Sequence, residues 1–400
     1  MHLEQDTHLD LLRERVRALA ARYQPPRHGR TGVRAPEAHD IPKLREWTAR
    51  LFSEQMLGVN WPVEYGGLPD PHPLHESVVI DELIRVNAPG PVGGGMLAAA
   101  AIIASGSAEQ KDYFLPRIRS GEHIWCQLFS EPDAGSDLAG LRTRARREGD
   151  VFVVDGQKVW TTNGQHADWG YLLARTNPDV PKHAGITAFA LDMSLPGVTV
   201  RPLREITGTA DFNEVFFDGV RVPAEHVIGE IDQGWAVTTA SLVHERAGAG
   251  SGASLFGALQ RLVRLAGSLP DWSVSDGDVD PGSVLDRRDV RQAIGGFVAD
   301  VHVNSLVAAY NESRALHGGA DLADAPVSKI LFSQINLALH EYGLQLQGHD
   351  GVRIETDSHV HDGGWWQDAF LYGRAFTIAG GTNEVLRNVI AERALGLPRG

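Results

Sequence analysis

The sequence predicts an α+β fold in three zones: an N-terminal helical domain over 1–120, a central antiparallel β domain over 121–232 and a C-terminal four-helix bundle over 233–400. Three observations predict it. Apolar residues recur at helical spacing toward both ends of the chain. The middle is instead β-branched and aromatic, with turn residues between short runs. Those runs follow one another without helices between them, which favours an antiparallel meander or small barrel over a doubly wound sheet. At 400 residues the chain is also too long for one ordinary core.

The elements follow in order. Leu9, Leu12, Val16 and Leu19 form the apolar stripe of a first helix, with Asp6 and Thr7 able to cap it and Pro25-Pro26 to stop it. Further helical patterns lie around 40–56 and 73–87, and "APGPVGGGM" (88–96) is a loop leading into a small-residue helix. The strands are "VFVVDG", "YLLART", "ITAFALDM", "VTVRPL" and "NEVFFDGVRV". Long helical patterns return near 234–266, 287–317, 324–347 and 366–396, a set that suggests a bundle. The Pro, Gly, Asp and Ser content of 267–283 marks an exposed loop between two of them.

Composition narrows the function. The net charge of −14 argues against a non-specific nucleic-acid or anionic-membrane binder. The single cysteine, Cys126, allows neither an intramolecular disulfide nor a cysteine-based metal site, so a reducing compartment fits. The N-terminus is charged throughout and does not read as a secretory signal. The best apolar run, "MLAAAAIIA", is too short to span a bilayer. A soluble cytoplasmic protein is therefore expected. His359, His361 and Asp362 stand close together, but no further ligand follows at a known spacing, and no metal site is expected there.

Two stretches carry a more specific signal: "WCQLFSEPDAGSDLAGLRTRA" (125–145) and "VDGQKVWTTNGQHADWGYLLART" (154–176). With "NWPVEYGG", "GSAEQKDYFLPRIRSGE", "NEVFFDGVRVP", "GEIDQGW" and the ending "GGTNEVLRNVIAERALGLP", they appear in one order along nearly the whole chain. In that order they resemble the acyl-CoA dehydrogenase family, whose fold has the same three zones.

The resemblance implies a bound FAD in a cleft between the β domain and the bundle. Gln127, Phe129, Ser130, Gly135 and Ser136 would line the isoalloxazine, with Ser136 also reaching substrate. Trp160 matches the tryptophan that packs on the flavin, and Thr161 and Thr162 follow it, Thr162 nearest the reactive N5. Gln345 and Gly348 match a segment that meets a partner subunit's FAD, and Thr382 and Glu384 match polar FAD contacts. An oligomer is implied: a homodimer, a homotetramer or a mixed assembly. Many members carry an Arg-x-x-Phe-Gly segment on the second bundle helix. It is missing here, and Arg287, Arg288 and Arg291 are the candidates to replace its arginine.

The implied reaction removes a proton beside a thioester carbonyl and a hydride from the next carbon. It needs a poised carboxylate and hydrogen bonds to the developing enolate oxygen. Many members keep the carboxylate immediately before the Gly-Thr of the C-terminal motif, where this chain has Gly380, followed by Gly381 and Thr382. Other members place it on the first bundle helix directly before an arginine, and here Glu245 precedes Arg246. Glu245 is thus the expected base, with Arg246, Gly380 and Gly381 beside the substrate and the Gly380 N–H as an oxyanion donor. Val243 stands where many members have an aspartate that contacts the pantetheine. The glycines of 90–95 and the alanines of 98–101 are expected to leave room for a wide acyl group.

The expected substrate is an acyl thioester on coenzyme A or an acyl-carrier protein, bulky or branched, with an electron-transfer flavoprotein as acceptor. Two rivals remain: a same-fold oxidase or monooxygenase using oxygen, and a non-catalytic subunit of a mixed oligomer.

Overall fold

The computed structural model describes residues 7–27, 29–248, 252–271, 282–319, 321–353 and 358–398, and leaves the side chains of 243–248 undescribed. The chain forms two compact units. The first comprises 1–28 and 33–247, the second 29–32 and 248–400.

The first unit opens with helices α1 (Thr7–Tyr23), α2 (Ile41–Ser53), α3 (His75–Arg85), α4 (Gly95–Ser105) and α5 (Ala108–Arg119). The expected stripe of α1 is buried: Leu9, Leu12, Val16 and Leu19 pack with Leu51 and Leu83 in one core. A capping box starts α5, with Ser107 and Gln110 each satisfying the other's backbone N–H.

Eight strands follow: β1 (Trp125–Leu128), β2 (Arg144–Glu148), β3 (Val151–Thr162), β4 (Trp169–Arg175), β5 (Ile186–Asp192), β6 (Val198–Leu203), β7 (Phe212–Pro223) and β8 (Val227–Ile228). Their order across the sheet is β6-β7-β3-β2-β4-β5-β8. Pairing is mostly antiparallel, as expected. The departures are β1, which runs parallel to β4 from Trp125↔Trp169 to Leu128↔Leu172, and a single parallel pair, Arg144↔Arg175, between β2 and β4. Parallel neighbours need a long connection, and β2 and β3 supply it between β1 and β4. The segment 93–95 packs on the backbone of β1. A Cβ at Gly93 would lie 2.6 Å from the Trp125 carbonyl oxygen, and the N–H of Gly94 donates to that same oxygen at 2.5 Å. At Gly93, then, glycine serves close approach of two backbones rather than an open acyl space.

Helix α6 (Gly234–Gly248) closes the first unit. It starts against β5, where a Cβ on Gly234 would sit 2.6 Å from the Ala188 nitrogen. Thr238 and Ser241 on its buried face lie 3.5 Å from the Tyr171 hydroxyl of β4.

The second unit holds α7 (Gly252–Ser268), α8 (Arg288–Leu316), α9 (Asp324–Leu346), α10 (Trp365–Ile378) and α11 (Asn383–Val389). Helices α7 to α10 surround a core of Leu255, Leu262, Ile335, Leu339 and Trp366. Among the described helices, α8 alone is long and apolar enough to cross a bilayer by length and composition. Two expected helices are divided. The pattern over 234–266 is α6 and α7, with 249–251 between them outside the described residues. The pattern over 366–396 breaks at Gly380 and Gly381, whose φ values are +68° and +97°. Ala379 has already left the helix at φ −65° and ψ 151°, and the two glycines take the positive φ of the turn that follows without a Cβ clash.

Most of 267–283 also lies outside the described residues, but its two ends pair through a Pro270↔Ser283 bridge. Residues 29–32 join the second unit: Arg30 reaches Asp368 at 3.5 Å, and Gly32 lies so close to the Tyr372 ring that a Cβ would overlap it. Gly343 plays a similar part, since its Cβ would stand 2.2 Å from a ring carbon of fully buried Trp366. Gly343→Ala is expected to cost about 1–3 kcal/mol or more through forced overpacking, read as a lowered urea midpoint.

Candidate active site

In the first unit the site grows from the loop after β1 and the end of β3. Phe129 and Ser130 follow β1, and a tight turn closes with reciprocal Glu131–Ala134 backbone bonds of 3.1 and 3.0 Å. Strand β3 holds this loop from beneath. The Val159 N–H donates to the Ser130 carbonyl at 2.9 Å. The Lys158 ammonium donates to the Phe129 carbonyl at 2.9 Å and to Glu131 Oε1 at 2.8 Å. Glu131 also accepts the backbone N–H groups of Arg142 and Thr143 at 2.6 and 2.9 Å. Farther on, Arg175 donates to the Ala139 carbonyl at 2.6 Å, and Lys182 pairs with Asp137 at 2.7 Å.

Both Lys158 and Glu131 are buried. Burial pushes the Lys158 ammonium down to about 8, against the pull of Glu131. Burial alone would raise the Glu131 carboxyl, but the Lys158 charge and the bonds from Lys158, Thr143 and Arg142 outweigh it and hold the carboxyl below its usual range. The pinned loop leaves Gly135 and Ser136 exposed, with open space where a Cβ on Gly135 would lie.

Strand β3 ends in a bulge. Its register with β7 shifts between Lys158 and Thr161, and inside that shift Trp160 has φ +60°. A bulky residue in the left-handed region is a backbone outlier that the surroundings must enforce. The bulge turns the indole outward. Trp160 is 57% exposed and meets Phe212 edge-on at 5.9 Å. Exposing a tryptophan at a strained position makes sense for a face that receives a planar partner.

Not every expected residue faces this way. Ser130, Thr162 and Gln127 are half-buried. Phe129 turns its ring into the core, 4.8 Å from the Tyr171 ring. Thr161 is fully buried, and its hydroxyl has no hydrogen-bond partner in the structure. The period-2 alternation of a strand accounts for Thr161, because its neighbours Trp160 and Thr162 take the other face.

Glu245 and Arg246 fall in the last turns of α6. By helical register Glu245 stands four residues beyond Ser241 and seven beyond Thr238, on one stripe with both. The side chains of Val243, Glu245 and Arg246 lie outside the described residues.

In the second unit, Gln345 and Gly348 are exposed at the end of α9. Thr382 caps α11, its hydroxyl accepting the Val385 N–H at 3.1 Å, and Glu384 pairs with Arg387 at 3.5 Å. Gly380 is exposed, with nothing within 4 Å of a Cβ placed there. Arg287, one of three candidate replacements for the missing arginine, forms a forked pair with Asp289 at 2.6 and 3.1 Å. His361 lies 3.6 Å from Asp350, while Asp362 pairs with Arg261 and accepts the Trp366 N–H. Among the described residues no cluster of histidine, cysteine and carboxylate side chains could hold a metal ion.

Lys158, Glu131 and Lys329, which donates from α9 to the Gly381 carbonyl at 2.8 Å, did not emerge from the sequence as site residues. A lysine directly before the apolar Val159-Trp160 pair of a strand was the available signal for the first.

Family models match most of the chain in three consecutive pieces: the acyl-CoA dehydrogenase N-terminal domain over 6–122, the middle domain over 126–220 and the C-terminal domain over 232–395. The chain belongs to the acyl-CoA dehydrogenase family. It is 39% identical to acyl-CoA dehydrogenase FadE34 of Mycobacterium tuberculosis over 91% of its own length. That match covers 47% of FadE34, so the chain spans about half the length of that relative. It is 38% identical to acyl-CoA dehydrogenase IpdE1 of the same organism, covering 89% of this chain and 88% of IpdE1. Among solved structures it resembles the Tcur3481-Tcur3483 steroid ACAD and the ChsE4-ChsE5 complex from Mycobacterium tuberculosis. Each gives a TM-score of 0.83 at 30% identity over the full length of both chains. Acyl-CoA dehydrogenases are flavoproteins, and the exposed indole and the open Gly135–Ser136 loop fit that chemistry.

Proposed function

We propose that this acyl-CoA dehydrogenase binds FAD and converts a bulky acyl-CoA ester to its α,β-unsaturated product. The observation that carries the proposal is Trp160, exposed at a strained bulge and braced to the Ser130 loop through Lys158 and Glu131. The residues that would hold the cofactor fit it: an outward indole, the hydroxyls of Ser130, Ser136 and Thr162, and a loop whose Gly135 gives a ligand close access to backbone. Gln345, Gly348, Thr382 and Glu384 are assigned to the same cofactor, with Gln345 and Gly348 meeting that of a partner subunit. Bound FAD would supply the hydride acceptor. Glu245 takes the proton from the carbon beside the carbonyl, and the Gly380 N–H receives the carbonyl oxygen as negative charge develops there.

A ring-bearing acyl chain is the favoured substrate class, because a structurally similar protein is a steroid ACAD. A mixed assembly is favoured by the likeness to the ChsE4-ChsE5 complex. An electron-transfer flavoprotein is the proposed acceptor, and the cytoplasm the proposed location.

The test is the visible spectrum of purified protein without oxygen, before and after a panel of acyl-CoAs that includes ring-bearing esters. A yellow spectrum that bleaches with one of them is expected. A flavin that no acyl-CoA bleaches would favour a carrier-bound substrate or oxygen chemistry. Absence of flavin in the chain alone would point to a required second subunit.

A further inference from the structure

We propose that Lys329 is a positioning residue for the Gly380–Gly381 turn, fixing the backbone donor that meets the thioester carbonyl. The inference rests on the reading above that the Gly380 N–H receives that carbonyl.

The turn has little to hold it. Gly380 and Gly381 are successive glycines at positive φ, and Gly380 packs against nothing within 4 Å of its Cβ position. Glycine pairs have more conformational freedom to lose than any other dipeptide. Before the turn, the Ala379 N–H closes α10 on the Ala375 carbonyl at 2.8 Å. After it, the Thr382 hydroxyl receives the Val385 N–H. In between, Lys329 Nζ reaches across from α9 and donates to the Gly381 carbonyl at 2.8 Å.

The clamp is itself braced. The same ammonium donates to Asn383 Oδ1 at 3.0 Å. Asn383 is buried and donates through its amide nitrogen to Ser333 Oγ, also at 3.0 Å. Lys329 and Ser333 stand one helical turn apart on α9, so one face of that helix holds the C-terminal side of the turn at Gly381 and Asn383. Lysine suits the place because its three donors can serve two oxygens at once. The geometry has a direct consequence for the backbone. A trans peptide is planar with its C=O and N–H opposed. Drawing the Gly381 carbonyl toward α9 therefore turns the next N–H, that of Thr382, away from α9 and anchors the turn at its C-terminal end, one residue beyond Gly380. The ammonium thus bonds the residue that directly follows Gly380, whose N–H is assigned to the enolate oxygen.

The experiment uses flavin-loaded protein carrying Glu245→Gln, so that bound thioester does not react. Infrared difference spectra are taken with an acyl-CoA labelled with carbon-13 at the carbonyl. The carbonyl band is expected to move to lower frequency on binding, and Lys329→Met to lose at least half of that movement while the flavin spectrum stays unchanged. In the otherwise native enzyme, Lys329→Met should lower kcat about 100-fold, the scale of losing one oxyanion donor. KM should stay within about threefold, and Lys329→Arg should recover part of kcat. Lys329→Gln, which keeps a donor of smaller reach, takes the place of the methionine variant if that does not fold. A full carbonyl shift in either folded, flavin-loaded variant overturns the role of Lys329. If the parent protein binds thioester with no carbonyl shift, it is instead the Gly380 reading that fails, and the Lys329 proposal falls with it.

Discussion

Glu245→Gln should lower the rate of flavin bleaching by acyl-CoA about 10³- to 10⁴-fold while leaving the protein yellow. A positioned general base contributes roughly 10²- to 10⁴-fold, and the proton beside a thioester is so weakly acidic that the upper end applies. Glutamine keeps the shape and loses only the basic oxygen. Flavin content and thioester affinity should therefore change little, and the loss should appear in the single-turnover rate measured by stopped flow. Retention of bleaching within tenfold of the parent would remove Glu245 as the base. A companion variant tests the shared site. Gly380→Glu in a Glu245→Ala background returns a carboxylate to the position many family members use. Open space surrounds that Cβ. Yet φ is +68°, where an L side chain costs about 1–2 kcal/mol. Partial recovery of turnover is expected rather than full recovery.

Lys158→Met should destabilise the protein by about 3–5 kcal/mol at neutral pH, the usual consequence of stranding one charge of a buried pair. It leaves Glu131 buried without its ammonium, and releases the Phe129 carbonyl as well. The sign of the pH dependence follows from the two shifts. Glu131 is held below its ordinary value of 4.5, so its contribution is present above that pH and is lost as pH falls through its depressed native value. Lys158 is lowered from 10.5 to about 8, so between those values the native state sheds a proton that the unfolded chain keeps. Stability from this group therefore rises with pH across that window. Lys158→Met removes both effects, and its deficit should shrink below about pH 4.5, where Glu131 is protonated on unfolding. Urea titrations at pH 4, 7 and 9 would read it. A deficit that does not vary with pH would mean that lost packing, rather than the stranded carboxylate, dominates. Lys158→Met/Glu131→Gln should recover much of the loss.

Local pattern made the three-zone order legible in the sequence, because helical stripes and strand runs are written within a few residues, whereas Trp160 was singled out only through the family resemblance of its motif. What was not legible depends on partners far away. Lys158 and Glu131 are 27 residues apart, and a lone strand lysine reads as a surface residue until its partner is found. Lys329 and Gly381 are 52 residues apart, on different helices. The break at Gly380–Gly381 was hidden by apolar periodicity that continues on both sides of it. Thr161 was grouped with its motif, although a strand sends alternate side chains to opposite faces, and Phe129, in the loop after β1, packs its ring on Tyr171 instead.

The presence of residues 29–32 in the second unit bears on how the protein is made. Those residues leave the ribosome long before the helices they join, with the whole of 33–247 between them. The second unit therefore cannot reach its final form from its helices alone, and the early segment must wait for them through the whole of the intervening β domain. A gene fragment beginning at α7 would encode every long helix of that unit and still lack Arg30 for Asp368 and Gly32 for Tyr372.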